Sequence, residues 1–461
     1  MAAMRIPRMA LVVGAVTLGV MMVTSASAES AKAPRLWVGW AMTDITPDKP
    51  VGMPGFFHKR ISSGVKDPIT ATALALESVG PNGEVGEQAI MVSCDVVWIR
   101  KATQDAVKKR LKKRLPDFDS DKLLLNATHT HQGPFQESGV FKGVFEMTPE
   151  ERARGVMTGD EYGKVLAKRI ADVVAKAWEE RKPGGYSWAL DQAVVGFNRR
   201  FVYFDGSAKM LASVNTPEFD CVEGVEDHGL LLLFFWDTDQ TLTGVVINVA
   251  CPAQAEQGDT LISADFWHDV REEIAARYSK DVFVFPQTGA GGDIYTAGMF
   301  RHRAEAAMAE RKGISWRREM ARRIVDGMDR ALPVARDADF HPVLKHTVAR
   351  FDLPVKDPPA PPFYTMDPVT PAEIHVLRLG DIAVVTNPFE LFIDYGIRMQ
   401  ARSNAVLTFV VQTCCHASGY LPTVRAVQGG GYSADKYLVG PEGGRVLVDE
   451  SVKHINALWP D

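Results

Sequence analysis

Runs of apolar and β-branched residues alternate along this chain with stretches whose apolar residues recur at helical spacing, and this alternation restricts the fold most. Residues 88–98 and 123–127 read as buried strands, with a basic helix predicted over 101–114 between them. Leu166, Ile170, Val173, Val174 and Ala177 share one face of a helix predicted over 160–180. Residues 230–236 and 244–250 read as neighbouring strands joined by the turn 237–240. A helix over 265–278 and a short buried strand over 282–285 follow, then a long charged helical region over 302–330. Strands are predicted at 347–353, 373–379 and 382–386, a helix from about 389 to 402, and a last helix near 446–458. The implied class is α/β (α+β), with mixed β-sheets flanked by helices. No internal repeat is legible. Residues 353–371 carry seven prolines, but strands follow without a change of composition. That segment is read as an extended surface loop inside one domain.

The chain opens with Arg5 and Arg8, then an apolar run of 13 residues, Leu11 to Val23, and the small-x-small pattern Ala26-Ser27-Ala28. The run is too short to span a bilayer, and the order of its parts is that of a secretory signal peptide over 1–28. A secreted or periplasmic protein is expected, with a single domain over 29–461. Removing the two leader arginines takes the formal net charge from −5 to −7. The basic run 108–113 lies on one helix face and reads as solvated surface, so nucleic acid is not an expected partner. Five cysteines, Cys94, Cys221, Cys251, Cys414 and Cys415, are an odd number for an exported protein and too few for a disulfide scaffold.

Chemistry concentrates where the strand at 123–127 stops. It delivers His129 and His131 into the turn Gln132-Gly-Pro134, so that two imidazoles leave one loop toward a common centre. Imidazole is a common zinc ligand, and the spacing suits a metal or an acid–base pair. Asp95 ends the preceding buried strand, and a carboxylate there needs a partner such as an arginine. Cys414-Cys415-His416 reads as a strand end or a redox pair, because adjacent cysteines rarely ligate one ion well.

Four separated segments carry polar groups where strands end. They are Ala127-Thr-His-Thr-His-Gln-Gly-Pro134, Asn248-Val-Ala-Cys-Pro252 with Leu261-Ile-Ser-Ala-Asp265, Asn387-Pro-Phe-Glu390, and Gly419-Tyr-Leu-Pro-Thr423 with Gly430-Gly-Tyr432. Together with the strand Val38-Gly-Trp-Ala-Met-Thr-Asp-Ile-Thr-Pro47 and Pro68-Ile-Thr-Ala-Thr-Ala-Leu-Ala-Leu-Glu77, the set resembles the catalytic domain of the neutral/alkaline ceramidase family. These are exported or lumenal zinc amidases. The likeness spans about residues 38–458 and leaves no room for that family's C-terminal immunoglobulin-like domain.

The resemblance implies Zn2+ as cofactor and a role for each matching residue. His129 matches a zinc ligand, Glu390 the carboxylate ligand and Tyr420 the tyrosine ligand. His131 matches a histidine that binds the substrate carbonyl or shuttles a proton. Asn198-Arg199 matches a pair whose arginine lies by the active site, and Tyr432 a tyrosine suited to steadying an oxyanion. Cys251 stands where the family has its second imidazole ligand, and a thiolate is itself a good zinc ligand. In Gly289-Ala-Gly-Gly-Asp-Ile-Tyr-Thr296, Tyr295 replaces a serine tied to ceramide amidase activity, which puts ceramide itself in question.

The expected activity is a zinc-dependent hydrolase cleaving an N-acyl amide bond in a small-molecule or lipid substrate, with transient contact at a membrane surface. Two alternatives stand beside it. One is the same scaffold acting on a carbohydrate-derived or ester substrate, and the other is a non-catalytic binding protein. An aromatic groove around Phe56 and Phe57 would favour lipid, and a polar pocket would favour sugar.

Overall fold

A computed structural model of the protein describes residues 35–140, 146–355 and 370–459. The expected signal peptide and most of the proline-rich segment lie outside the described residues. Among those described, no helix is long and apolar enough to cross a membrane.

One unit occurs three times, which corrects the expectation that the chain has no repeat. Each unit is three strands in antiparallel succession, a crossover helix, and a fourth strand parallel to the third. The first comprises β1 (Arg35–Asp44), β2 (Thr70–Val79), β3 (Val85–Cys94), α1 (Lys101–Arg114) and β4 (Leu123–Ala127), followed by α2 (Gly159–Glu179). The second comprises β5 (Lys182–Gln192), β6 (Gly229–Asp237), β7 (Leu242–Val249), α3 (Phe266–Arg277) and β8 (Phe283–Thr288), followed by α4 (Trp316–Ala331). The third comprises β9 (Leu344–Phe351), β10 (Ala372–Leu379), β11 (Ile382–Thr386), α5 (Ile393–Arg402) and β12 (Leu407–Val411), followed by α6 (Pro441–Asn456). The repeat is one of connectivity, and its strands share no sequence motif that would expose it.

Units one and two join where β1 pairs with β5 at Trp37–Pro183 and Val38–Lys182, giving an eight-stranded sheet in the order β8-β7-β6-β5-β1-β2-β3-β4. Unit three forms a four-stranded sheet in chain order. The period of two along each strand divides side chains between two cores. Ile90 and Val92 of β3, with Leu123 and Leu125 of β4, meet Val107, Leu111, Leu166 and Ile170 of the helices. Met91 and Leu124, one residue out of phase, meet Leu377, Ile382, Val384 and Phe409 of the small sheet. The other face of the small sheet, Ile374, Val376, Ala383 and Val385, is covered by Leu447, Val448 and Ile455 of α6. The layers therefore run helices, large sheet, small sheet, helices. Strands buried on both faces read as unbroken apolar runs, which is why 123–127 was legible as a strand.

The charged region at 302–330 is two helices, His302–Arg311 and Trp316–Ala331, the second capped by the Ser315 side chain on the Arg318 amide. The strands β5 and β12 were not predicted. Asp95 meets the expected arginine: Arg271 Nη1 lies 2.9 Å from Oδ2, which also accepts from the Thr70 amide and hydroxyl.

In each unit the third and fourth strands are parallel, so the loops after them emerge at the same edge. Asp95–Trp98 and His129–His131 leave unit one there, Cys251–Gln254 and Gly289–Asp293 unit two, and Asn387–Glu390 and Gln412–Tyr420 unit three. Hydrogen bonds cross between units at this edge. The Ala253 amide donates to the Thr128 carbonyl, the Cys415 amide to Leu125, the Gln412 amide to Thr288, and the Asn248 side chain to Val410.

Candidate metal centre and active site

His129 leaves β4 with a positive φ of 62°, a strained conformation for a non-glycine residue. Its Nδ1 lies 2.7 Å from the Val97 carbonyl. A carbonyl can only accept, so Nδ1 carries the proton and Nε2 keeps its lone pair. That lone pair faces Glu390 Oε2 at 3.6 Å. The gap is too long for a charge-assisted hydrogen bond, which needs about 2.7–2.9 Å. It suits two ligands of one ion, since atoms held at about 2.0–2.2 Å around a tetrahedral centre lie about 3.3–3.6 Å apart. An imidazole fixed by a backbone carbonyl on its far nitrogen is also the usual way a ligating histidine is oriented.

Glu390 and Tyr420 come to the site as a pair, because the short parallel strands Glu390–Leu391 and Tyr420–Leu421 are in register at those two residues. The two side chains hydrogen-bond, and burial followed by the Glu390 charge pushes the Tyr420 hydroxyl up from its ordinary pKa. Arg199 Nη2 donates to the Tyr420 oxygen at 3.3 Å and to the Gly292 carbonyl at 2.9 Å. Gly292 has no room for a side chain, since a Cβ there would lie 2.3 Å from the Glu390 carbonyl oxygen. Burial is the main cause depressing the pKa of His129, with Glu390 opposing, and of His131, where His129 adds to the effect. Both imidazoles are therefore neutral near pH 7, the form a metal needs.

His131 stands 5.2 Å from His129, ring centre to ring centre. Its Nε2 meets the Gln254 side-chain nitrogen at 2.7 Å. As placed, Gln254 Oε1 and His131 Nδ1 are both buried without a partner. An amide nitrogen only donates, so His131 Nε2 accepts and the ring proton sits on Nδ1. Arg60, buried beneath, donates to the His131 carbonyl at 2.6 Å and to Pro54 at 2.7 Å while its guanidinium lies 4.4 Å over Phe56. Burial lowers the Arg60 pKa to about 10.

His129, His131, Glu390 and Tyr420 line a cavity of about 50 Å³ together with Gly55, Phe56, Phe57, Trp98, Gly419, Tyr432 and Lys436. Tyr432 stacks edge-on against Tyr420 at 5.5 Å and against Phe57 at 5.0 Å. Gly55 has a φ of +101°, and a Cβ on it would lie 2.5 Å from the His131 ring. Gly55→Ala is therefore expected to displace His131 and cut turnover at least tenfold, while circular dichroism shows an intact fold. Unchanged kinetics would mean the ring is not held against this turn.

Five of the seven residues singled out from sequence, His129, His131, Glu390, Tyr420 and Tyr432, share this cavity. Arg199 sits behind Tyr420, outside the lining. Cys251 is not brought to it: the thiol is buried in the core between the second half of the large sheet and its helices, bonded to the Val195 carbonyl at 3.2 Å. Burial, with Asp265 adding, raises its pKa well above normal, so it is a thiol and not a thiolate. It is a free cysteine, as are the other four. The backbone turn after β7 points Cys251 inward and presents Gln254, three residues on, to His131. Asp293 ties the glycine loop down by accepting from the Ile393 amide and the Asn198 side chain, and burial raises its pKa to about 6. Tyr295 hydrogen-bonds Gln257. Gln254, Arg60, Trp98 and Lys436 were not singled out from sequence. Their presence depends on loop conformation, and no spacing signal marks them.

Neither a protein-family model nor a curated protein sequence matches the chain. Solved structures do. A neutral ceramidase from Pseudomonas aeruginosa is 17% identical with a TM-score of 0.71, covering 92% of this chain and 74% of that one. A ceramidase complexed with C2 is 16% identical with a TM-score of 0.70, covering 92% and 75%. The mixed α/β architecture described above is therefore a neutral ceramidase-like fold.

Proposed function

We propose that this protein is an exported, zinc-dependent hydrolase of N-acyl amides, built as one catalytic unit. The observation that carries the reading is the His129 lone pair facing Glu390 Oε2 at 3.6 Å, with Tyr420 beside the carboxylate. His129, Glu390 and Tyr420 would hold the ion, and this nitrogen and oxygen donor set favours zinc over magnesium or calcium. Zinc there would supply Lewis acidity toward a carbonyl and acidify water. Cys251 is left out of the set because its sulfur is committed to Val195.

The remaining chemistry belongs to the chain's own side chains. His131, whose ring lines the cavity, is the residue that takes a proton from water and returns it to the leaving nitrogen. Tyr432 stands at the rim to donate to the developing oxyanion. Arg199 is a positioning residue, holding the Tyr420 oxygen against Gly292. Phe56, Phe57 and Trp98 exclude water around the scissile group. The cavity holds the reacting atoms only, so the rest of the substrate lies across the aromatic rim. That rim supports an acyl chain over a sugar.

The test is zinc content of the purified protein together with turnover of a panel of N-acyl amides and esters of graded chain length. One zinc per chain bound at this site, with chelator-sensitive amide hydrolysis, is expected. Absence of zinc-dependent turnover on every member would leave a binding protein. Cys251→Ser should retain zinc and turn over within about twofold of wild type, and loss of the metal in that variant would return sulfur to the shell.

A further inference from the structure

A second group of ligand-type side chains lies on the small sheet. Glu373 and His375 are two residues apart on β10 and so face the same way. Cys415 comes from the loop after β12, where its amide is held by the Leu125 carbonyl at 2.8 Å. Ligand atoms from Glu373, His375 and Cys415 all lie within 4.8 Å of one another.

The proton bookkeeping of the neighbouring histidine sharpens this. His346 Nδ1 meets the Gln88 carbonyl at 3.3 Å and must donate to it, which leaves neutral His346 with an accepting Nε2. His375 Nδ1, 3.0 Å from that nitrogen, is then the donor. The other ring nitrogen, His375 Nε2, lies 3.4 Å from Glu373 Oε1. That distance matches the separation of two ligands on one tetrahedral ion, about 3.3–3.6 Å. The two oxygens of Glu373 are held unequally. Arg350 Nε and Nη2 both fasten Oε2 at 2.7 Å, whereas Gln104 and Lys108 approach Oε1 only at 3.3 and 3.5 Å. Lys108 also lies 3.6 Å from Asp121 and has that partner to fall back on. Lys108 is thus not the purely solvated residue expected from sequence.

We propose that Glu373 Oε1, His375 Nε2 and Cys415 Sγ bind a second, thiophilic divalent cation, with zinc as its chemical class, the fourth position facing the adjoining cleft. Glu373 and Cys415 line that cleft, whose volume is about 590 Å³. His346 orients His375 as an outer partner. Cys415 ligates through its thiolate, and its proton leaves to solvent through the cleft. The ion staples β10 to the loop that runs on to Tyr420, so this site steadies the delivery of Tyr420. Cys414, whose sulfur is 3.6 Å from that of Cys415, stays out of the shell.

The test is cobalt substitution of the full-length, metal-stripped protein, read by absorption and by equilibrium dialysis. A thiolate-to-cobalt charge-transfer band is expected in wild type and in His129→Ala. It should vanish in Cys415→Ser, with loss of one equivalent of bound metal, and persist in Cys251→Ser. Glu373→Gln should keep the band but weaken cobalt binding at least tenfold, which guards against misfolding in the serine variant. No thiolate band in wild type overturns the proposal, even if one metal binds at His129. A band lost in Cys251→Ser instead of Cys415→Ser also overturns it. A band that persists when no His129-dependent equivalent exists leaves this site standing and removes the hydrolase reading.

Discussion

Glu223→Ala is expected to lower the stability of the folded protein by about 3–5 kcal/mol, the cost of leaving a buried charge without its partner. Arg200 is fully buried and Glu223 nearly so, and the pair is bidentate, Nε to Oε2 at 2.7 Å and Nη2 to Oε1 at 2.9 Å. The same guanidinium donates to the Ala426 and Gly430 carbonyls at 3.2 and 2.7 Å and to the Ser433 hydroxyl at 3.1 Å. Those last contacts bracket Tyr432, so removing the carboxylate should also loosen a residue of the cavity rim. Urea unfolding read by fluorescence gives the stability, and kcat/KM on an acyl amide gives the effect on the rim. Glu223→Gln, which keeps the acceptor and loses the charge, should fall between wild type and alanine. A stability loss under about 1 kcal/mol for Glu223→Ala would show that water reaches Arg200 and that the pair does not hold the loop.

His129→Ala is expected to abolish zinc binding at the cavity and to reduce kcat/KM by more than the 10–100-fold typical of a residue that only supports a ligand. The larger loss follows because the variant removes a donor atom itself and leaves Glu390 and Tyr420 without the nitrogen ligand across the 3.6 Å gap. Metal analysis by mass spectrometry and turnover of the best substrate check it together. Stability should change little, because His129 is held by one backbone hydrogen bond and its positive φ is strained in the folded state. Retained zinc with retained activity would move the centre elsewhere. Retained activity without zinc would make the reaction independent of metal.

Much of the architecture could be read from periodicity. The span 101–114 was predicted as a helix and 123–127 and 382–386 as strands with the ends the structure has, because each is bounded by turn residues and buried on a consistent set of faces. The strand β5 was missed because Lys182-Pro-Gly-Gly185 opens it with residues that usually mark a turn. The edge strand β12 follows a helix closely, and its five residues were absorbed into the loop. The threefold unit was invisible because repetition of strand pairing needs no repetition of side chains.

The histidine loop was nameable from its own residues, because it follows a strand end that local composition marks, whereas Glu390, Tyr420 and Tyr432 were named through the family resemblance. Whether a side chain at such an end faces the cavity or the core is set by one or two backbone dihedrals, and residue order does not encode them locally. Cys251 shows this most directly. It occupies the expected place in the loop after β7, yet the turn buries its sulfur against Val195 and offers Gln254 to His131. The pairing of Glu373 and His375 with Cys415 is likewise a consequence of tertiary packing, because it depends on how the loop after β12 lies against Leu125. Strand and helix identity follow from short-range apolar spacing, which the linear chain carries in full. Which donors converge follows from long-range closure of three units at one sheet edge, and only the folded molecule decides that.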